Sequence, residues 1–266
     1  MIKVKTADAI VYRYPIETPV QTSFGTMIDR PMVLVKLVDE DGVTGYGEVW
    51  CNYPSVGAEH RARLVKNIFA PLISSKSFAS PRESFELLTN KTWVLSVQTG
   101  EYGPIAQCIA GIDIAIHDLQ ARKLSLPLWK LLGGTSDKVS TYGSGISQTA
   151  AEKTAELALD AGHNALKLKV GIDNELDIQN ISSLRKLLGK DGKLMVDANQ
   201  AWTAEQAKVI INKIEPFDLE WLEEPILADR PDDEWYSLAA ITNIPLAAGE
   251  NISGEDRFSH LISEKY

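Results

Sequence analysis

Only two cysteines, Cys51 and Cys108, occur in 266 residues, so a disulfide framework is excluded as the source of stability. That scarcity fits a reducing compartment, and a cytoplasmic location is the expectation. Basic charge is also short: 27 Lys and Arg against 36 Asp and Glu leave a net charge of -9. No local basic patch offsets it, which argues against a nucleic-acid partner or an anionic membrane surface. Long apolar runs are missing too. None approaches the roughly 20 residues of a membrane-spanning helix, and Met1-Ile2-Lys3-Val4-Lys5 leads into alternation rather than a signal-peptide core. With 44% hydrophobic and 24% charged residues, the composition is that of a soluble globular protein with a substantial core.

The first half of the chain mixes antiparallel strand patterns with helical ones. Ile2 to Tyr14 alternates as a strand stopped by Pro15, and Thr18 to Arg30, polar and with Gly25, reads as a loop. Met32 to Val38 and Val43 to Trp50 flank Asp39-Glu40-Asp41-Gly42 and read as a hairpin. Cys51 to Gly57 is a second loop. Helical patterns follow at 58–70, at 81–93 and from Pro104, where Ile105, Cys108, Ile109, Ile112, Ile116 and Leu119 form one stripe. Pro127 and Gly133-Gly134 end that run, so residues 1–135 are expected to form an α+β N-terminal domain.

From Val139 the pattern becomes regular β–α alternation. Strands are expected at 139–146, 165–170, 194–197, 219–223 and 245–249, with helices between them; Thr203 with Gln206 makes a capping box. Four of the apolar runs end in charge, at Lys167-Leu168-Lys169, Asp197, Glu223 and Glu250. Asp197 to Glu223 is 26 positions and Glu223 to Glu250 is 27, one strand–helix unit each. This is the pattern of a (β/α) barrel, which places its chemistry at the C-terminal strand ends. A complete barrel takes ~250 residues, so residues 136–266 are expected to supply about five of its units. Three carboxylates at such ends suggest an oxygen-ligand cation site. Two lysines one residue apart on a strand share a face and suggest acid–base work.

At these motifs the chain resembles the enolase superfamily, and within it the mandelate racemase-like group of the mandelate racemase/muconate lactonizing enzyme family. Ile116-His117-Asp118-Leu119 and Leu131-Leu132-Gly133-Gly134 look like the helix before that family's barrel. Lys167-Leu168-Lys169, Val196-Asp197-Ala198-Asn199-Gln200, Trp221-Leu222-Glu223-Glu224-Pro225 and Gly249-Glu250-Asn251 are similar to its second to fifth barrel strands, in order. The resemblance implies a capping domain followed by an enolase-type barrel, with Mg²⁺ held by Asp197, Glu223 and Glu250. It implies Lys169 as the base on one substrate face, Lys167 as its neighbour and Asn199 lining the site.

The chemistry implied is removal of the α-proton of a carboxylate through an enediolate, whose charge a divalent cation stabilises. Mg²⁺ prefers hard oxygen ligands. A free lysine, with pKa about 10.4, is a poor base near neutrality; a like charge nearby and partial burial lower it. The implied substrate is a small carboxylate, an acid sugar undergoing dehydration or a 2-hydroxy acid undergoing racemisation or epimerisation. Cycloisomerase or dipeptide epimerase chemistry is the alternative within the superfamily, and a catalytically inactive metal-binding fragment is the alternative of another class. A homo-oligomer is expected.

Tyr142 and Ser144, near the end of the first barrel strand, are substrate-site candidates or else layer packing. Phe24, Trp50 and Tyr53 sit in the two N-terminal loops, which in this family cap the barrel mouth and select substrate; plain packing is the competing reading. Asp113 and His117, one helical turn apart, read as a surface contact, and the two cysteines as inert.

Overall fold

The computed structural model describes residues 1–22 and 25–264, and the structural statements that follow concern those residues. They fall into two compact units. One comprises Met1–Gln21 and Gly25–Lys138, and the other begins at Val139.

In the first unit β1 (Ile2–Val4), β2 (Thr6–Thr22), β3 (Gly25–Val38) and β4 (Thr44–Val49) precede the helices. α1 (Gly57–Leu64) continues through a π turn into α2 (Ala70–Ile73); β5 (Lys76–Phe78), α3 (Pro81–Thr99), α4 (Tyr102–Lys123) and α5 (Leu128–Leu131) follow. The main sheet has the order β2-β3-β4, and β1 pairs antiparallel with β5. Alternation along β3 buries Val33, Val35 and Leu37 completely, against the apolar stripe of α4 that includes Ile105, Cys108, Ile112 and Ile116. Two glycines let α4 lie on β4. A Cβ on Gly47 would come within 2.1 Å of the Gly111 carbonyl oxygen, and one on Gly45 within 2.3 Å of the Ala115 carbonyl oxygen.

The expected loop from Thr18 to Arg30 is instead strand. β2 runs on through Thr22 and β3 begins at Gly25. Pro15 and Pro19 obscure this in the sequence, but β2 is an edge strand of its sheet, where a missing N–H need break no ladder bond. Phe24 lies outside the described residues.

The second unit alternates throughout: β6 (Gly143–Ile146), α6 (Ala151–Asp160), β7 (Ala165–Lys169), α7 (Asn174–Leu188), β8 (Lys193–Asp197), α8 (Ala204–Ile214), β9 (Leu222–Glu223), α9 (Asp232–Ala239), β10 (Leu246–Ala247) and α10 (Glu255–Glu264). The sheet has the order β6-β7-β8-β9-β10, every neighbouring pair parallel. This barrel-like sheet is what βαβ alternation dictates. Leu166, Leu168, Leu194, Val196 and Leu222 are fully buried, packed with Ile181, Leu184 and Ile211 of the covering helices. α8 starts with the expected capping box: the Gln206 amide donates to Thr203 Oγ1 at 3.3 Å and the Thr203 amide to Gln206 Oε1 at 2.9 Å.

Two expected strands are shorter than their apolar runs, but pairing extends beyond them. The Glu220 amide donates to the Leu194 carbonyl at 2.9 Å and the Leu222 amide to the Pro245 carbonyl at 2.9 Å. β6 is shorter at its start. It opens at Gly143, so Tyr142 precedes the strand and Ser144 lies inside it, rather than both finishing it.

Candidate metal and acid–base site

Strand register assembles the site. Lys169 pairs with Asp197 across β7 and β8, Asp197 with Glu223 across β8 and β9, and Glu223 with Ala247 across β9 and β10. Parallel pairing without slippage therefore sets a lysine and two carboxylates side by side at three successive strand ends. Glu250 follows three residues after β10. One carboxylate oxygen from each of Asp197, Glu223 and Glu250 lies within 4.8 Å of the others.

Three carboxylates this close repel one another unless positive charge intervenes. Lysine supplies part of it. Lys169 Nζ donates to Asp197 Oδ2 at 2.6 Å and to Asn199 Oδ1 at 2.7 Å. Lys167 Nζ donates to Glu223 Oε2 at 2.7 Å and lies 3.3 Å from Asp197 Oδ2. Asp197 is wholly buried and also accepts the Asn199 amide at 2.9 Å. Trp221 Nε1 donates to Glu223 Oε2 at 3.2 Å. The set is hard, oxygen-only and drawn from three separate strand ends, which fits Mg²⁺. Asp197, Glu223 and Glu250 are the residues that would hold it.

Burial alone would lower the Lys167 ammonium, as a lysine used as a base requires. The hydrogen bond it donates to Glu223 and the charge of Asp197 outweigh it and hold Lys167 above the ordinary lysine value. Lys167 is thus a fixed cation.

Tyr142 joins the cluster from before β6. Its ring packs edge-on against Trp221, centroids 5.7 Å apart at 77°, and Lys167 Nζ lies 5.5 Å from its centre. Ser144 is exposed on β6 and takes no part in the hydrogen-bonded cluster among the described residues. Trp50 and Tyr53 belong to the first unit, 44% and 39% exposed. Tyr53 lies against Gly25, where a Cβ would meet its hydroxyl oxygen at 2.4 Å, so it binds one N-terminal segment to the other. Asp113 and His117 form a local pair on α4, His117 Nδ1 donating to the Asp113 carbonyl at 2.9 Å. Burial pushes the Cys51 thiol up, and the Cys108 thiol up to about 12, which keeps both as unreactive thiols at neutral pH.

Sequence reasoning passed over Glu224. It is 1% exposed and accepts the Asn251 amide at 3.2 Å and Asn251 Nδ2 at 2.7 Å. Burial raises its carboxyl above the ordinary value, opposed by the Asn251 hydrogen bonds and reinforced by the charges of Glu250 and Asp197. Its only signal was its place beside Glu223.

Comparison with known proteins matches these features. Residues 3–133 fit the mandelate racemase/muconate lactonizing enzyme N-terminal domain, and residues 150–266 the enolase C-terminal domain-like model. The L-talarate/galactarate dehydratase of Salmonella typhimurium is 36% identical over 93% of this chain and 63% of its own length. The 3,6-anhydro-alpha-L-galactonate cycloisomerase of Streptomyces coelicolor is 32% identical over 94% of this chain and 68% of its own. The chain therefore spans about two thirds of the length of these curated relatives. A solved mandelate racemase/muconate lactonizing enzyme from Bordetella bronchiseptica RB50 is 45% identical with a TM-score of 0.92, over 98% of this chain and 69% of that one. A racemase from Streptomyces coelicolor A3(2), solved with bound magnesium, is 28% identical with a TM-score of 0.90, over 98% and 72%. A capping unit of this fold, a parallel sheet in this order and both domain matches agree: the chain belongs to the mandelate racemase/muconate lactonizing enzyme family of the enolase superfamily.

Proposed function

We propose that this protein serves Mg²⁺-dependent abstraction of the α-proton of a small carboxylate, most readily an acid sugar. The observation that carries this reading is the meeting of Asp197, Glu223 and Glu250 within 4.8 Å, with Lys167 and Lys169 aimed at the same group from one strand. The cation, when bound, supplies charge stabilisation at the substrate carboxylate as the enediolate forms.

The chain's own residues divide the remaining work. Lys169 reaches Asp197 and Asn199 from the strand end and takes the proton from the α-carbon as the general base; the C–H pair moves into the carboxylate. Lys167 stays cationic, draws the substrate carboxylate in and offsets its growing charge. Asn199 orients Lys169. Tyr142 and Trp221 wall the lysine side, while Trp50 and Tyr53 are the proposed substrate-selecting aromatics of the first unit. For a dehydration, the electron pair then expels the β-hydroxyl, which leaves as water with the proton that Lys169 took from the α-carbon.

A second reading is favoured by the cycloisomerase among the relatives. There the same proton abstraction would precede addition or elimination within a ring. Both readings share the first step, so hydrogen–deuterium exchange at the α-carbon in D₂O tests them together. With Mg²⁺ and a panel of acid sugars, the parent protein should exchange its α-proton. Lys169→Ala should lose 10²–10⁴-fold of that rate, the usual contribution of a positioned base. Full exchange in Lys169→Ala would remove the lysine from its role, and product analysis separates dehydration from cycloisomerisation.

A further inference from the structure

Of the three proposed cation ligands Asp197 and Glu223 end β8 and β9, while Glu250 lies in the loop after β10, and each backbone must hold its carboxylate to a fraction of an ångström for a cation to be bound. We propose that Glu224 and Asn251 form a positioning pair that sets the third ligand, Glu250, and thereby the affinity for the cation. This rests on the reading of Asp197, Glu223 and Glu250 as a cation site and assigns Glu224 no part as ligand or base.

The geometry comes from one residue in an unusual conformation. Glu224 has φ of +41°, the left-handed region that costs a non-glycine residue free energy. The side chain that follows this turn is buried. There the carboxylate grips Asn251 twice, through the backbone amide at 3.2 Å and the side-chain Nδ2 at 2.7 Å. Asn251 is the residue directly after Glu250, so the grip fixes the peptide from which the ligand springs. Glu224 is fixed in turn by its own backbone: its amide donates to the Ala247 carbonyl at 2.8 Å and its carbonyl accepts the Gln200 amide at 2.7 Å. One residue thus joins the loops after β8, β9 and β10.

The same device occurs one strand earlier. Gln200, with φ of +62°, places its side-chain oxygen on the Ala228 amide at 2.7 Å and ties the loop after β8 to the loop after β9. Gln200 and Glu224 thus each reach forward to a backbone amide of the next loop. A buried carboxylate spent on this contact, one residue from a ligand, is explained by ligand placement and not by catalysis.

Asn251 is exposed, so Asn251→Ala removes one half of the grip at little risk to folding. Binding of Mn²⁺ alone, followed by the loss of its free-ion spin-resonance signal, gives the affinity, and circular dichroism melting reports the fold. Asn251→Ala should melt close to the parent while binding Mn²⁺ about 10–100-fold more weakly, the usual consequence of losing an outer-shell partner. Glu224→Gln, which keeps one acceptor, should show a smaller loss. Rate at saturating cation should recover in Asn251→Ala, because Lys167 and Lys169 are untouched. Parent-like Mn²⁺ affinity in both variants would overturn the positioning role. Failure of the parent itself to bind Mn²⁺ would overturn the cation-site reading beneath it, so the two failures are distinguishable.

Discussion

Asp39 in the first unit and Asp197 in the second are both buried aspartates that accept a lysine, yet their surroundings differ in origin. Asp39 takes the amides of Asp41 and Val43, two and four residues away, at 2.9 and 2.8 Å, and Lys123 Nζ at 2.6 Å. Burial pushes its carboxyl up, but Lys123 and the turn amides prevail and hold it below the ordinary value. The charge is consumed where the turn is made. Asp197 instead meets Lys167, Lys169, Glu223 and Glu250, all from other strands or the loops after them. Three carboxylates against two lysines leave negative charge concentrated at one point. Local satisfaction makes a structural acid; charge assembled from distant strands and left in excess makes a binding site.

The sharpest way to break this contrast is to remove each acid in turn. Asp197→Ala should weaken Mg²⁺ by more than the ~10–100-fold typical of outer-shell losses and abolish α-proton exchange. Asp39→Ala should leave Mg²⁺ affinity unaltered and lower unfolding stability by about 1–3 kcal/mol, the cost of leaving the turn amides of Asp41 and Val43 without their acceptor. Calorimetric Mg²⁺ titration with urea melts checks both, and a change in Mg²⁺ affinity in Asp39→Ala would collapse the distinction.

After the loss expected at Asp197 comes the helix–sheet contact of the first unit. Gly47→Ala drives a methyl into the Gly111 carbonyl at 2.1 Å, an overpacking cost of about 3 kcal/mol because the obstacle is backbone. Its urea midpoint should fall with Mg²⁺ affinity unchanged.

The smallest effect sharpens the comparison through pH. Asp39 is depressed in the folded state, so its stabilisation is present above the unfolded value of about 3.9 and is lost as pH falls through the folded value. Asp177, 1% exposed in the second unit, is raised by burial, against the opposing hydrogen bonds of Gln148 and the Gly171 amide. Its sign is opposite: stability declines as pH rises from about 3.9 to its raised folded value. Asp39→Asn should flatten the acid limb of a stability–pH curve, and Asp177→Asn should remove a decline just above it. Neither slope exceeds ~1.4 kcal/mol per pH unit. Identical curves for the two variants would refute the assignment.

The site's acids were legible because each ends an apolar run, and regular strand–helix spacing brings run ends together. Lys167 and Lys169 were legible for the same reason, one residue apart on one face. The ion pairs that hold Lys167 were not, since they come from carboxylates 30 and 56 residues along the chain. Glu224 and Gln200 were hidden more deeply. A side chain gripping the backbone of another loop leaves no period in the sequence. In the first unit the long β2–β3 strands were masked by Pro15, Pro19 and Gly25, whose local preference for turns loses to pairing at a sheet edge. The apolar stripe of α4, by contrast, is visible in sequence and buried as expected.

The order β6-β7-β8-β9-β10 also fixes a timetable. Each strand joins the one made just before it, so the sheet can grow as the chain leaves the ribosome, N-terminal segments first. Asp197 emerges before Glu223, and Glu223 before Glu250. A cation at the proposed site would have all three ligands only once the last of these had docked, so its binding would reward a correctly registered sheet.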